Sequence, residues 1–342
     1  MGIGLTKCPK CGESVDEEDK YCACCGTSLE VWESEQGFSE PDPNRSLNVL
    51  TMFKEAVMSF YNPMPLEVKP STAVFSKRQP RNLTPYLGWA ILMLSMGLIM
   101  AYGGLWYHYI GITIAGYAAP LVLLVWIFRS DRYESEPLAL VAYCFGWGAF
   151  SGIAAAILNQ VITAPYLGVG GAGFIEEPLK ILGVFFVARG VYVKAEFNDH
   201  LDGMVYGAAA GAGFAGLENF YYISQMVTTG SIAPIVAILI RSLTAFMHIS
   251  WTAIAGRSLG VAKVIKGGVG WADLIPGVAL AAILHAIWNL SSGGLAFIIL
   301  FPLTIVALRT QIKTALEDEA RWGFLCFPPD ENLNEESNEG VQ

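Results

Sequence analysis

Eight apolar segments, separated by short polar turns, are the feature of this sequence that most restricts its fold. An α-helix rises about 1.5 Å per residue, so roughly 20 residues cross a hydrocarbon core about 30 Å thick. The segments have about this length, which predicts an all-α multi-pass membrane protein with about eight transmembrane helices. They lie near residues 85–107, 110–128, 138–160, 172–189, 201–226, 232–257, 271–291 and 294–309.

The composition agrees with a membrane protein. Of the 342 residues, 54% are hydrophobic and 15% charged, with a mean hydropathy of +0.45. The net charge of -9 comes from the two tails, because residues 1–45 hold 10 acidic and 4 basic residues and residues 309–342 hold 8 and 3. The apolar body is close to neutral. Nucleic acid is therefore not an expected partner, and membrane lipid is.

Basic residues alternate from loop to loop in a way that predicts the orientation. Short cytoplasmic loops are enriched in Lys and Arg. The loops near 108–110, 161–171, 227–231 and 291–294 contain neither residue. We therefore expect a cell-membrane protein with both termini in the cytoplasm. The basic residues flanking the other span ends are Lys77, Arg78, Arg81, Arg129, Arg132, Arg189, Lys194, Arg257, Lys263, Lys266, Arg309 and Lys313.

Five of the seven cysteines lie between positions 8 and 25. Two C-x-x-C-G knuckles place four thiols for tetrahedral zinc, namely Cys8, Cys11, Cys22 and Cys25. The alternatives are two disulfides in an exported tail, or rubredoxin-like iron, whose knuckles are usually further apart. A reducing cytoplasm favours zinc over disulfides. The sequence predicts a small zinc ribbon over residues 1–30, which a cytosolic protein could bind as a partner.

The remaining chain divides by composition. Residues 31–82 read as a linker in which apolar residues recur at helical spacing after Ser46. Such a helix would lie either in the membrane interface or on the surface of the membrane domain. Residues 83–310 form the predicted membrane domain, and residues 311–342 form an acidic cytoplasmic tail.

Ionisable side chains within the spans are costly and usually mark function. The fourth span opens with Glu176 and Glu177, and Lys180 follows within one helical turn. One lysine needs only one carboxylate, so the second is available for chemistry. Pro178 suits the first turn of a helix, and a purely structural Glu-Lys ion pair is the alternative interpretation.

The next three spans carry further polar side chains. The fifth ends with Glu218 and Asn219, and three glycines, Gly203, Gly207 and Gly211, form a stripe along it that allows close helix packing. The sixth carries Arg241 and His248, and the seventh carries His285 and Asn289. Helical rise puts most of these groups about 6–15 Å from the outer end but His248 about 24 Å down. Either a span boundary is wrong or the site is a deep cavity.

In this order, the motifs resemble those of the PrsW family of intramembrane proteases, which is related to the CAAX-prenyl endoproteases. The resemblance covers residues 83–309 and not the ribbon, and the loop from Asp131 to Pro137 also looks like a family loop. It implies cleavage of membrane-anchored proteins, with anti-sigma factors the best-known substrates. The matching residues are Glu176, Glu177 and Lys180, then Phe214, Glu218 and Asn219, then His248, then His285 and Asn289.

Peptide hydrolysis needs an activated water and donors for the oxyanion. We expect Glu176 or Glu177 to be the base and His248 and His285 to orient water or stabilise the oxyanion, assisted by Asn289. Glu218 is then either a second acid or a partner for Arg241. An active-site zinc held by Glu and His is the alternative, ranked second because the chain has no H-E-x-x-H motif. A proton-coupled transporter and an inactive scaffold are competing classes, although no internal repeat supports a transporter.

The predicted orientation can be tested at Cys326 in the C-terminal tail. We expect an impermeant thiol reagent to leave Cys326 unlabelled in intact cells and to label it after permeabilisation, because the tail is cytoplasmic. A Ser231→Cys variant, in a loop predicted to be outside, is the matched control and should be labelled in intact cells. Labelling of Cys326 without permeabilisation would contradict the orientation.

Overall fold

The fold is available as a computed structural model. It describes residues 7, 8, 10–15, 19, 21, 22, 24–27, 29, 39, 41–43, 45, 47–70, 105–134, 136–190, 196–291 and 294–322. Nearly all of the first predicted span lies outside these residues, as does Cys326.

The described part of the chain is helical, with only two isolated β-bridges outside the helices. The helices are α1 (Val49–Tyr61), α2 (Leu105–Ser130), α3 (Leu138–Leu158), α4 (Ala172–Arg189), α5 (His200–Thr228), α6 (Pro234–Lys266), α7 (Leu274–Leu290) and α8 (Gly294–Trp322). A π-helix over Asn159–Leu167 continues α3, and short 3-10 turns precede α4 and α7.

Five segments of this described bundle are long and apolar enough to cross a membrane by length and composition. They contain α2, α3, α6, α7 and α8. The prediction of an all-α multi-pass membrane protein is thereby confirmed. Helices α4 and α5 occupy the fourth and fifth predicted spans but are not among the five. Both carry buried ionisable residues, and α5 is buried from His200 to Gly216, so protein rather than lipid surrounds its first half.

The glycine stripe of α5 packs against α6, as the sequence predicted. A methyl group added at Gly203 would overlap the carbonyl oxygen of Gly256, and one at Gly207 would overlap that of Thr252. At Gly211 the added carbon would lie 2.7 Å from Cα of Ile249. The two backbones approach too closely for any larger side chain, and this contact brings the polar residues of α5 and α6 together.

Helix α1 packs on the membrane domain itself. Its apolar side buries Met52 and Ala56, and Glu55 Oε1 lies 3.0 Å from the guanidinium of Arg257 on α6. This packing agrees with a helix on the surface of the domain and is compatible with the membrane interface as well. The helix begins at Val49 and its side-chain cap is Asn48 rather than Ser46, because Asn caps a helix as well as Ser.

Helix α8 continues to Trp322, past the predicted end of the last span at residue 309. The sequence turns polar there, yet Gln311, Asp318 and Glu319 are buried. Gln311 donates to the carbonyl oxygen of Ser59 at 2.9 Å. The polar face of this extension therefore packs on the protein. Hydropathy alone could not predict this helical extension, because its buried residues are polar.

The close packing of α5 on α6 predicts a strong effect of a single methyl group. Gly207→Ala should lower the free energy of unfolding by about 1–3 kcal/mol, because the methyl group must push two backbones apart. The matched control is Gly146→Ala on α3, where the added carbon meets nothing within 4 Å. Thermal unfolding in detergent measures both. A Gly207→Ala variant as stable as the control would contradict this packing.

Candidate functional site

The four knuckle cysteines come together at the N-terminus. The Sγ atoms of Cys8 and Cys25 lie 3.5 Å apart, as do those of Cys11 and Cys22, and all four lie within 4.8 Å of one another. A disulfide requires about 2.05 Å, whereas a tetrahedral zinc site with 2.3 Å bonds separates its sulfurs by about 3.8 Å. The spacing is that of metal ligands.

The two knuckles share one backbone pattern. In the first, the amide of Gly12 donates to the carbonyl of Cys8, and in the second the amide of Gly26 donates to that of Cys22. Both glycines have φ near +70°, at 76° and 67°. Burial raises the pKa of Cys25, but hydrogen bonds with Thr27 outweigh it and lower this pKa to about 6. That thiol ionises readily, as metal binding requires.

A second polar cluster lies within the bundle, built from α4, α5, α6 and α7. Lys180 on α4 is fully buried at its centre. Its Nζ lies 2.7 Å from Glu177 Oε1 and 2.8 Å from His248 Nδ1, and it sits 4.0 Å from the ring centroid of Phe214. One buried cation thus connects three helices.

The adjacent glutamates have different surroundings. Glu177 is used on both oxygens: Oε1 contacts Lys180 and His285 Nδ1 at 2.9 Å, and Oε2 accepts from Thr252 at 3.3 Å. Glu176 accepts one hydrogen bond, from Asn159 at 2.9 Å on Oε1. Its Oε2 accepts none from the described residues and lies 3.7 Å from Lys180 Nζ and 3.8 Å from His285 Nε2.

The partners of the two histidines determine where their protons lie. Because a carboxylate only accepts, His285 donates from Nδ1 to Glu177, and its Nε2 lies 3.8 Å from Glu176 Oε2. Because an ammonium only donates, Nδ1 of His248 accepts from Lys180. Nε2 of His248 then donates to Glu218 Oε2 at 2.8 Å. The two rings lie edge to face, with centroids 4.9 Å apart.

Glu218 is also held by Arg241, whose Nη2 lies 2.7 Å from Glu218 Oε2. Asn219 accepts from Nε of this arginine at 3.1 Å and donates to the carbonyl of Gly116 on α2 at 2.8 Å. Both expectations for Glu218 are therefore compatible with the geometry, since it contacts a histidine and an arginine at once. Asn219 holds Arg241 in place and is itself buried.

Two cavities meet at this cluster. One, of about 650 Å³, is lined by Glu176, Glu218, Arg241, His248 and His285 among others. The other, of about 450 Å³, runs between α3 and α5 and is mostly apolar. Both cavities are lined by Glu176, Glu218 and Asn159, so Glu176 lies where the polar cavity and the apolar cavity join.

Seven of the eight predicted side chains form this connected cluster: Glu176, Glu177, Lys180, Glu218, Asn219, His248 and His285. Asn289 stands apart, donating to the carbonyl of Val169 at 3.2 Å on the cavity wall. Asn159, which donates to Glu176, and Thr252, which contacts Glu177, were not among the predicted site residues. Asn159 could have been recognised as an amide at the end of an otherwise apolar span, and Thr252 as a hydroxyl one turn after His248.

The predicted depth mismatch is resolved by the cavity. Nε2 of His248 lies 2.8 Å from Glu218, although helical rise placed the two at different depths. The cavity wall extends from Val169 near the end of the bundle down to His248, so the site lies deep within the protein. Pro178 also differs from expectation, because α4 begins at Ala172 and the proline lies inside it rather than in its first turn.

A three-residue group within the cluster has metal-ligand spacing. Glu176, His248 and His285 are buried and offer ligand atoms within 4.8 Å of one another. A carboxylate with two imidazoles is a ligand set of catalytic zinc sites.

Known proteins share this part of the chain. A family model described as PrsW family intramembrane metalloprotease matches residues 136–309. Protease PrsW of Bacillus subtilis (strain 168) is 34% identical over 119 residues, covering 33% of this chain and 53% of the relative. Protease PrsW of Halalkalibacterium halodurans is 28% identical over 184 residues, covering 51% and 80%.

Protease PrsW of Geobacillus kaustophilus (strain HTA426) is 33% identical over 116 residues, covering 32% of this chain and 50% of the relative. The chain thus spans about half the length of the Bacillus and Geobacillus relatives. No solved structure matches it.

Proposed function

This chain belongs to the PrsW family of intramembrane metalloproteases, and we propose that it is an endopeptidase that hydrolyses peptide bonds of membrane-anchored proteins. One observation carries the proposal. Glu176 Oε2 is buried and accepts no hydrogen bond from the described residues, and the Glu176 side chain lines a cavity that His248 and His285 also line. A buried carboxylate oxygen without a donor is suited to receive a proton from water.

The residues divide the work as follows. Glu176 binds the attacking water and accepts its proton, while the lone pair on Nε2 of His285 accepts the second hydrogen of that water and orients it. Glu177 holds His285 in the tautomer that keeps Nε2 free. This division selects Glu176 rather than Glu177 as the base, because Glu177 is fully occupied.

The developing oxyanion needs donors that face the cavity. Arg241 lines the cavity and is fixed by Glu218 and Asn219, so it presents positive charge without having to reorganise. The amide of Asn289 lies on the same wall. Arg241 and Asn289 are the proposed oxyanion donors. The Nε2–H of His248 is already donated to Glu218.

The family description implies a metal ion, and the residues fit one. Glu176, His248 and His285 would hold it, since their ligand atoms lie within 4.8 Å of one another and Glu176 has an orphan oxygen. Bound there, zinc would supply Lewis-acid activation of water. His248 would join as its other tautomer, with its proton moved from Nε2 to Nδ1 and Lys180 no longer donating to Nδ1, and Glu176 would then be a ligand rather than the base. The ligand spacing of these three residues and the family description favour zinc-dependent hydrolysis over metal-free glutamate catalysis, which was ranked first from the sequence.

The apolar cavity supports a substrate that arrives within the membrane. Its lining between α3 and α5 includes Ile153, Leu217 and Tyr221, and it ends at Glu176 and Glu218. An unwound apolar segment of a single-pass protein matches this surface. We propose that substrate enters here and water through the polar cavity, with both termini of the enzyme in the cytoplasm as the basic loops predict.

The four-cysteine cluster is proposed to be a structural zinc site that folds the N-terminal ribbon. Its ligand atoms close the coordination sphere, so it offers no open position for catalysis. A separate small module on a membrane enzyme suits recognition, and we propose a cytosolic protein as its partner.

The two adjacent glutamates should respond differently to an isosteric change. Glu176→Gln should lower the turnover of a single-pass substrate in proteoliposomes about 10²-fold or more and leave the protein folded, because it removes the base or, with zinc bound, a metal ligand. Glu177→Gln should chiefly lower thermal stability, by about 3–5 kcal/mol, because it leaves Lys180 without its closest anion. Glu317→Gln, at a half-exposed site on α8, is the matched control. Full turnover by Glu176→Gln would overturn the assignment.

Metal content separates the two zinc sites. We expect about two zinc ions per chain in the purified protein by elemental mass spectrometry, one at each ligand set. A Cys8→Ser, Cys11→Ser double variant should lose the first, and His285→Ala the second. If the double variant holds no zinc while still cleaving substrate, the membrane site works without metal.

A further inference from the structure

Six acidic side chains are buried together at the opposite end of the bundle from the candidate active site. They come from the α2–α3 loop, the start of α5 and the end of α8, and none is more than 3% exposed. Helix α5 begins among them and reaches Glu218 sixteen residues after Asp202, about 24 Å along its axis. The six are Asp131, Glu134, Glu136, Asp199, Asp202 and Glu319.

Five of these carboxylates form two groups that share Asp202. Asp131, Glu136 and Asp202 offer oxygens within 4.8 Å of one another, and so do Glu134, Asp199 and Asp202. The two groups meet at Asp202, so this one carboxylate connects all five.

Backbone and side-chain donors fix one oxygen of most of these carboxylates. Asp202 Oδ2 accepts the amides of Asn198 at 2.7 Å and Asp199 at 2.9 Å. Asp199 Oδ1 accepts from Leu201 at 2.6 Å, and Glu136 Oε2 accepts from the hydroxyl of Tyr206. The carboxylates are thus held in place by their neighbours, as ligands of a preformed site must be.

Asp199 and Asp202 each have a second oxygen that no donor in the described part of the chain fixes. Asp199 Oδ2 and Asp202 Oδ1 are buried without a hydrogen-bond partner among the described residues. Glu319 is 1% exposed, and both of its carboxylate oxygens are buried without a hydrogen-bond partner among the described residues. The neighbouring charges that act on it most strongly are those of Asp199, Asp131 and Asp202. This glutamate of α8 therefore lies close enough for the charges of the cluster to act on it, and it comes from a third segment of the chain.

Four of the six buried carboxylates lack a basic side chain that would compensate their charge among the described residues. In the described part of the chain, no ion pair includes Glu136, Asp199, Asp202 or Glu319. Burying several like charges without a counterion is far more costly than a folded domain tolerates. Burial and the neighbouring charge of Asp202 raise the pKa of Glu136 and of Asp199, so either protons or a cation must neutralise the cluster.

We propose that this cluster binds a divalent cation that prefers oxygen ligands, Ca²⁺ or Mg²⁺. Ca²⁺ takes six to eight oxygens at about 2.3–2.6 Å and Mg²⁺ takes six at about 2.0–2.1 Å. Oxygens on opposite sides of such ions lie about 4–5 Å apart, so carboxylate oxygens within 4.8 Å of one another can bind the same ion. The ion ties the α2–α3 loop, the start of α5 and the end of α8 together, and it is distinct from both zinc sites.

The full-length protein, stripped with chelator in detergent, tests the proposal. Equilibrium dialysis against Ca²⁺ alone and against Mg²⁺ alone should give about one bound ion per chain for at least one of them. The same ion should raise the thermal midpoint, and EDTA should reverse the rise. If wild-type protein binds neither ion and becomes more stable as pH falls, protons neutralise the cluster and the proposal is overturned.

Two variants locate the ion. Glu319→Gln should weaken its binding about tenfold or more, because a charged ligand is lost without change of shape. Asp202→Asn, common to both groups, should do the same and serves if Glu319→Gln fails to fold. Glu317→Gln on the same helix and Glu176→Gln at the candidate active site are the controls and should bind the ion as wild type does. Equal binding by Glu319→Gln and Asp202→Asn would place the ion elsewhere and overturn the proposal.

Discussion

Lys180 is an ammonium group buried in a bundle that offers it almost no water. Such a charge is stable only where anions and acceptors compensate it. Glu177 and His248 lie within 2.8 Å of its Nζ, and the face of Phe214 covers it. These contacts fix the rotation of α4 against α5 and α6. Once that rotation is set, Glu177 is directed inwards to His285, and the preceding glutamate has to face the cavity.

Helix α5 connects the two ends of the molecule on which this chemistry depends. Its first half is lined by small residues, so that α6 lies in backbone contact along Gly203, Gly207 and Gly211. Its start carries Asp202 in the acidic cluster, and its later part carries Glu218 in the polar cluster of the candidate active site. Close packing makes this helix a rigid spacer between the two polar sites, because a glycine-lined contact leaves no side chains that can rearrange.

Much of the site could be predicted from the sequence because ionisable groups within apolar segments are conspicuous. Glu176, His248 and His285 stood out in this way, and the structure brings them together. Asn159 and Thr252 did not stand out, because amides and hydroxyls occur within helices for many reasons. The relative depth of His248 was misjudged, since helical rise measures distance along one helix and says nothing about how far neighbouring helices are displaced.

What the sequence determined by itself is local: the apolar spans, the two cysteine knuckles and the residues that would be costly in a membrane. Each follows from spacing along the chain and from the solvation of single groups. Only the tertiary structure decided that Glu176 and not Glu177 faces the cavity, because adjacent residues differ by how the helix is rotated in the bundle. It also brought Asp131, Asp202 and Glu319 together, since distant segments meet through packing, which no spacing in the sequence encodes.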